Sequence, residues 1–141
     1  MNDAGVDDAT RVQSRPGPAI PDTNCPVVNE YLTAFYRGDF EGARPLVTED
    51  FSFDGPFVQV HGREEFFASA AALRPVVHGH RLVRQWRDGE HVCSIYDVDV
   101  RSPAGAGTVR MSEWHVLRDA RLASATVLFD SARLRMLLPR P

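Results

Sequence analysis

The strongest constraint on this chain is a change of period at Pro75: before it apolar residues recur at helical spacing, and beyond it they alternate every second residue. The alternation predicts four strands, near 76–87, 91–101, 107–118 and 121–130, several of them longer than the usual five or six or so residues. Asp88-Gly89 is a strong hairpin signal, 102–107 (SPAGAG) reads as a looser hairpin loop, and Arg118-Asp119-Ala120-Arg121 closes the last pair. Long strands joined this tightly are antiparallel neighbours, and a sheet built from them twists and curves. Its inner face then needs a cover.

The first half of the chain supplies that cover. Asn24 reads as a helix cap with Pro26 in the first turn, and Val27, Val28, Tyr31, Leu32, Phe35 and Tyr36 follow on one broad face until Gly38. Asp39 caps a short helix carrying Phe40, Ala43, Leu46 and Val47. Residues 51–60 (FSFDGPFVQV) read as a short strand, and the proline at Gly55-Pro56 implies an edge or a bulge. After Gly62 a third helix uses Phe66, Phe67, Ala70, Ala71 and Leu73, and Pro75 ends it. The expected fold class is therefore α+β: a cone-shaped, curved antiparallel sheet covered by three N-terminal helices.

Composition narrows the function. With 43% hydrophobic and 25% charged residues in 141, the chain suits one globular domain. Its formal charge of −3 offers no net attraction to nucleic acid or anionic lipid, so neither is expected as a partner. Two cysteines, Cys25 and Cys93, make no disulfide framework and no zinc spacing. The acidic N-terminus has no apolar leader segment and no run long enough to span a membrane occurs, which places the protein in the cytoplasm. Residues 1–23, rich in Asp, Pro, Gly, Ser and Thr, are expected to form a disordered tail, with the domain at 24–132 and a C-terminal tail at 133–141.

The stretch EYLTAFYRGDFEGARPLVTEDFSFDGPFVQVHGREEFF, followed by the four-strand meander ending RDARLASATVLFD, resembles the SnoaL-like and ketosteroid-isomerase-like branches of the nuclear-transport-factor-two-like superfamily. The pieces that carry it are Arg37-Gly38-Asp39, Glu49-Asp50, Gly62-Arg63-Glu64 and the last hairpin. The resemblance implies one apolar pocket inside the cone. It also implies roles for particular residues. Tyr31 falls where the isomerases carry an oxyanion-binding tyrosine, and Glu113 where they carry a protonated acid beside it. The isomerase base falls on Gly55, with Asp54 one residue early. Asp54 reaches the pocket only if the Gly55-Pro56 break turns it inward.

Alternation sorts the strand residues into faces. Met111, Glu113, His115 and Leu117 share one, and a carboxyl in apolar surroundings exchanges its proton nearer neutrality than one in water. His115, two residues from Glu113 on that face, suits an ion pair or a proton relay. Asp97 and Asp99 share a face with Cys93 and Ile95, opposite Tyr96 and its apolar neighbours. His78-Gly79-His80 has the spacing for chelation on a strand but no third ligand nearby, so no metal is expected.

The expected catalytic residues are Tyr31, Glu113, Asp54 and His115, and the expected ligand-binding residues are Phe35, Phe53, Phe57, His80, Asp97, Met111 and Leu117. The function that the resemblance implies is a small cofactor-independent cyclase or isomerase acting on a hydrophobic carbonyl-bearing, polyketide-type metabolite. A pericyclic cyclase that only templates its substrate, and a non-catalytic small-molecule binder, remain open beside it. A homodimer is expected through the outer sheet face, with Trp114, Val116, Val127 and Phe129 supplying the apolar surface.

Overall fold

A computed structural model describes residues 24–139; the expected tail at 1–23 lies outside them. Helix α1 (Pro26–Tyr36) and helix α2 (Phe40–Ala43) precede strands β1 (Val47–Asp54) and β2 (Gln59–His61). Helix α3 (Arg63–Ala70) leads to the long strands β3 (Val77–Asp88), β4 (His91–Ser102), β5 (Gly105–Arg118) and β6 (Arg121–Phe129), and helix α4 (Ser131–Leu137) is the last element among the described residues. The six strands form one sheet in the order β2-β1-β6-β5-β4-β3.

The expected antiparallel sheet needs one correction. β1 lies parallel to β6, so the sheet is mixed, because the chain crosses the whole meander before β6 returns to β1. The curvature has visible causes. Register slips in β3 between Val77 and His80 and again between Leu82 and Arg84, and in β5 between Val116 and Leu117. Each irregularity bends its strand and tightens the local twist.

The last slip also changes which residues face inward. Val116 pairs with Ser124 while Leu117 pairs with Leu122, so β6 carries one extra residue, Ala123, at that point. An extra residue flips the side-chain phase of everything beyond it. Leu122 is buried, and so are Ala125 and Val127 in the opposite phase. The expected placement of Val127 and Phe129 on the outer face is therefore overturned: they stand opposite Glu113 and Met111 and share their inner face.

Smaller differences follow the same logic. Ser102 pairs with Gly105, which shortens the expected loose loop to a two-residue turn. Cys25 rather than Asn24 is the α1 cap, and it makes no side-chain capping bond. The side chain of Gln85, the one buried residue of β3, replaces that cap from across the fold. Its Oε1 accepts from the Cys25 backbone N–H at 2.7 Å, and its Nε2 donates to Ser94 Oγ and Asn29 Oδ1 at 2.9 Å each. This amide ties the start of α1 to the sheet.

The expected C-terminal tail is not a tail. Asp130 caps α4 by accepting from the Arg133 N–H, the Arg133 side chain donates to Thr108 O at 2.8 Å, and Ser102 Oγ donates to Leu137 O at 2.7 Å. Leu134 is buried against the core. A short apolar periodicity, Leu134, Leu137 and Leu138, was enough to dock the segment.

At the last hairpin Asp119 and Ala120 both adopt positive φ, 53° and 64°. Two-residue hairpin turns of this hand favour glycine at the second position, because a Cβ is disfavoured there. Ala120→Gly is expected to stabilise the protein by about 0.5–1 kcal/mol, the relieved strain outweighing the added chain entropy. Urea titration with an unchanged m value checks it.

Candidate active site

The helices and the concave face of the sheet enclose an apolar cavity of about 110 Å³. Helix α1 enters with Tyr31, Leu32, Phe35 and Tyr36, the face its apolar stripe dictates. The sheet contributes Phe53, Tyr96, Met111, Glu113, Val127 and Phe129, and Phe66 of α3 and Leu134 of α4 close the sides. Phe57 also lines the cavity and is 40% exposed, so the cavity reaches the surface there.

Three polar side chains of the wall, Glu113, Tyr96 and Tyr36, are linked to one another. Glu113 is 3% exposed, and Tyr96 O–H donates to its Oε1 at 2.5 Å. A further 3.0 Å separates the hydroxyls of Tyr96 and Tyr36. The second carboxylate oxygen, Oε2, lies 3.3 Å from His115 Nε2. That separation is within ion-pair range, yet neither ring nitrogen of the fully buried His115 has a hydrogen-bond partner among the described residues. A small rotation of the imidazole ring converts this ion-pair contact into a hydrogen bond.

Tyr31 completes the group. Its ring meets His115 edge-on at 5.7 Å, and among the described residues its hydroxyl bonds to nothing. Burial, and then the charge of Glu113, pushes all three phenols, Tyr31, Tyr36 and Tyr96, well above the usual tyrosine range. They are therefore protonated donors at neutral pH. The arrangement is a carboxyl in an aromatic wall, one free phenolic donor lining the same cavity, and a buried imidazole against the carboxyl.

Of the residues expected at the site, Tyr31, Glu113, Phe35, Phe53, Phe57 and Met111 line the cavity. His115 touches Glu113 but stands one layer behind the wall. Asp54 is exposed at the end of β1, because the Gly55-Pro56 break does not turn it inward; Gly55 lines the cavity instead. A Cβ on Gly55 would lie 2.9 Å from Val127 Cγ1 and 3.1 Å from Phe53 Cε2, so a side chain there requires Val127 to shift. Leu117 is buried in the core below the cavity.

Asp97 lies on the outer face, where Arg110 grips it with two hydrogen bonds of 2.8 and 3.0 Å and holds its carboxyl below the usual range. His80 packs behind the wall, stacked on Tyr36 at 5.5 Å, and burial lowers its pKa. Tyr36 and Tyr96 are the site residues that sequence reasoning missed. Both sat on apolar stripes and read as core; the signal that finds Tyr96 is register, since Ser94 pairs with Glu113 and puts Tyr96 on its diagonal.

Sheet, helices and cavity together define the nuclear-transport-factor-two-like class. Within it a SnoaL-like domain family model matches residues 28–125, and the chain belongs to that family. A nuclear-transport-factor-two-like protein from Cytophaga hutchinsonii is 25% identical, with a TM-score of 0.64 over 77% of this chain and 91% of that one. A LEH-like epoxide hydrolase from M. tuberculosis superposes with a TM-score of 0.70 at 16% identity, covering 80% of this chain and 87% of its own. A candidate SnoaL-like polyketide cyclase from Shewanella denitrificans gives 0.70 at 13% identity, covering 79% and 93%. No curated protein matches the chain in sequence. No helix among the described residues is long and apolar enough to cross a membrane.

Proposed function

We propose that this SnoaL-like protein is a small cofactor-independent cyclase or isomerase acting on a hydrophobic, carbonyl-bearing metabolite of polyketide type. The observation that carries the reading is Glu113: a carboxyl in the wall of an aromatic cavity that Tyr31 also lines, with a hydroxyl that makes no hydrogen bond among the described residues. In this reading a substrate carbonyl takes the free hydroxyl of Tyr31. Glu113 exchanges the α-proton, and the Tyr31 donor strengthens its bond as the oxygen gains charge. His115 steadies the carboxylate from behind, and Asp54, outside the cavity, takes no part. The structural likeness to a candidate polyketide cyclase supports the substrate class.

The test is deuterium incorporation from D2O at the methyl group of 2-acetylnaphthalene, followed by proton NMR. Incorporation above the buffer rate supports proton transfer at this site. A pocket that binds the ketone without exchanging its protons is a templating cyclase or a binder.

The same reading includes a homodimer. Trp86, Cys93 and Trp114 follow one another across neighbouring strands, as do Ile95, Ser112 and Leu128, and Trp86, Trp114 and Leu128 are 43, 48 and 65% exposed. This outer patch is bordered by the Arg81–Asp97–Arg110 ion pairs, and a two-fold axis through it sets each apolar row against its own copy. Sedimentation equilibrium at micromolar concentration is expected to give a dimer, and Trp114→Arg a monomer; a wild-type monomer removes this assignment.

A further inference from the structure

A carboxyl that gives and takes protons inside an apolar cavity must exchange them with water, and the cavity mouth cannot serve once an apolar ligand fills it. The described residues contain a second way out. Tyr36 lines the cavity and also a separate solvent-open depression with Thr33, Arg37, Val77, His78 and His80. It is partly exposed, whereas Tyr96 and Glu113 behind it are buried.

The hydrogen bonds along this line have one direction. A phenol has a single hydrogen to give. Tyr96 spends its own on Glu113, so in the pair 3.0 Å apart Tyr36 is the donor and Tyr96 the acceptor. All the hydrogens therefore point from the depression toward the carboxylate. His80 stacks on the Tyr36 ring and meets the Tyr96 ring edge-on at 5.9 Å, which fixes the two rings relative to each other.

We infer that Tyr36 and Tyr96 form a proton relay that connects Glu113 to bulk water through the depression that Tyr36 lines. This rests on the reading of Glu113 as a proton-exchanging group. In the inward step Tyr96 gives its hydroxyl proton to the Glu113 carboxylate, Tyr36 gives its own to Tyr96, and a hydronium ion in the depression replaces the proton of Tyr36. One O–H bond breaks and one forms at each phenol, and the net change is one proton moved from solvent to Glu113. The transfers are concerted, because a phenolate left midway would be buried without a counter-ion.

The experiment follows the hydrogen-bonded proton between Tyr96 and Glu113 as a downfield resonance in proton NMR of the full-length protein, identified by its loss in Tyr96→Phe. Its exchange with water is read by saturation transfer. With naphthalene filling the cavity, Tyr36→Phe keeps the ring and cuts the relay, so exchange then requires local opening of the fold and is expected to be at least about tenfold slower than in the naphthalene-filled wild type, with an otherwise native spectrum. Filling the cavity with naphthalene is expected to leave exchange in the wild type intact. A wild-type exchange rate in naphthalene-filled Tyr36→Phe overturns the relay, as does loss of exchange when naphthalene binds the wild type. The measurement uses no substrate. Failure of the cyclase reading would appear separately, as absence of deuterium incorporation into the ketone.

Discussion

Glu113→Gln is expected to lower the rate of α-deuterium incorporation by about 10²-fold or more. The substitution is nearly isosteric and leaves the Tyr96 hydroxyl an oxygen to bond, so the polar cluster keeps its shape while losing the group that accepts a proton. Stability is the control. A neutral amide next to a buried His115 removes a potential charge without opening a cavity, and the variant should melt within a few degrees of wild type. Loss of exchange in a protein that still melts cooperatively assigns the chemistry to the carboxyl. An unchanged rate would mean that the cavity works by shape, as a templating cyclase does, and the proton-transfer reading would fall.

Tyr31→Phe separates a catalytic donor from a packing residue more sharply than tyrosine substitutions usually do. A core tyrosine with a satisfied hydroxyl loses about 1 kcal/mol of stability on conversion to phenylalanine. The Tyr31 hydroxyl makes no bond among the described residues, so that loss is expected to be near zero. If it holds a developing oxyanion, its removal raises the barrier by about 2–4 kcal/mol. The expected outcome is thus an unchanged denaturation midpoint with a reduced kcat for the ketone. A measurable loss of stability with undiminished kcat would return Tyr31 to the core.

Where alternation was unbroken, the strands and their faces were legible. Met111, Glu113, His115 and Leu117 all point inward on β5, as a two-residue period requires, and Asp97 and Asp99 share the opposite face of β4 with Cys93 and Ile95. Legibility ended at irregular points. Ala123 reverses the phase of β6, and nothing in the string RLASATVLF marks it as the extra residue, so Val127 and Phe129 were assigned to the wrong side. The parallel pairing of β1 with β6 is a long-range contact that no local pattern encodes. Tyr36 and Tyr96 were hidden for a different reason: buried phenols that form hydrogen bonds and those that only pack have the same sequence signature.

Gly55 has a consequence for what this cavity can become. The position where the isomerases of this superfamily hold their base is closed here by contact, since Val127 and Phe53 already occupy the space of a first side-chain atom. Acquiring an aspartate there would push two wall residues aside, and overpacking of that kind costs about 1–3 kcal/mol before any activity is gained. A smaller residue at position 127 relieves that contact, and shrinking Val127 alone leaves a void. Mutational routes toward isomerase chemistry therefore depend on order, and a library that varies position 55 without position 127 samples mostly damaged proteins.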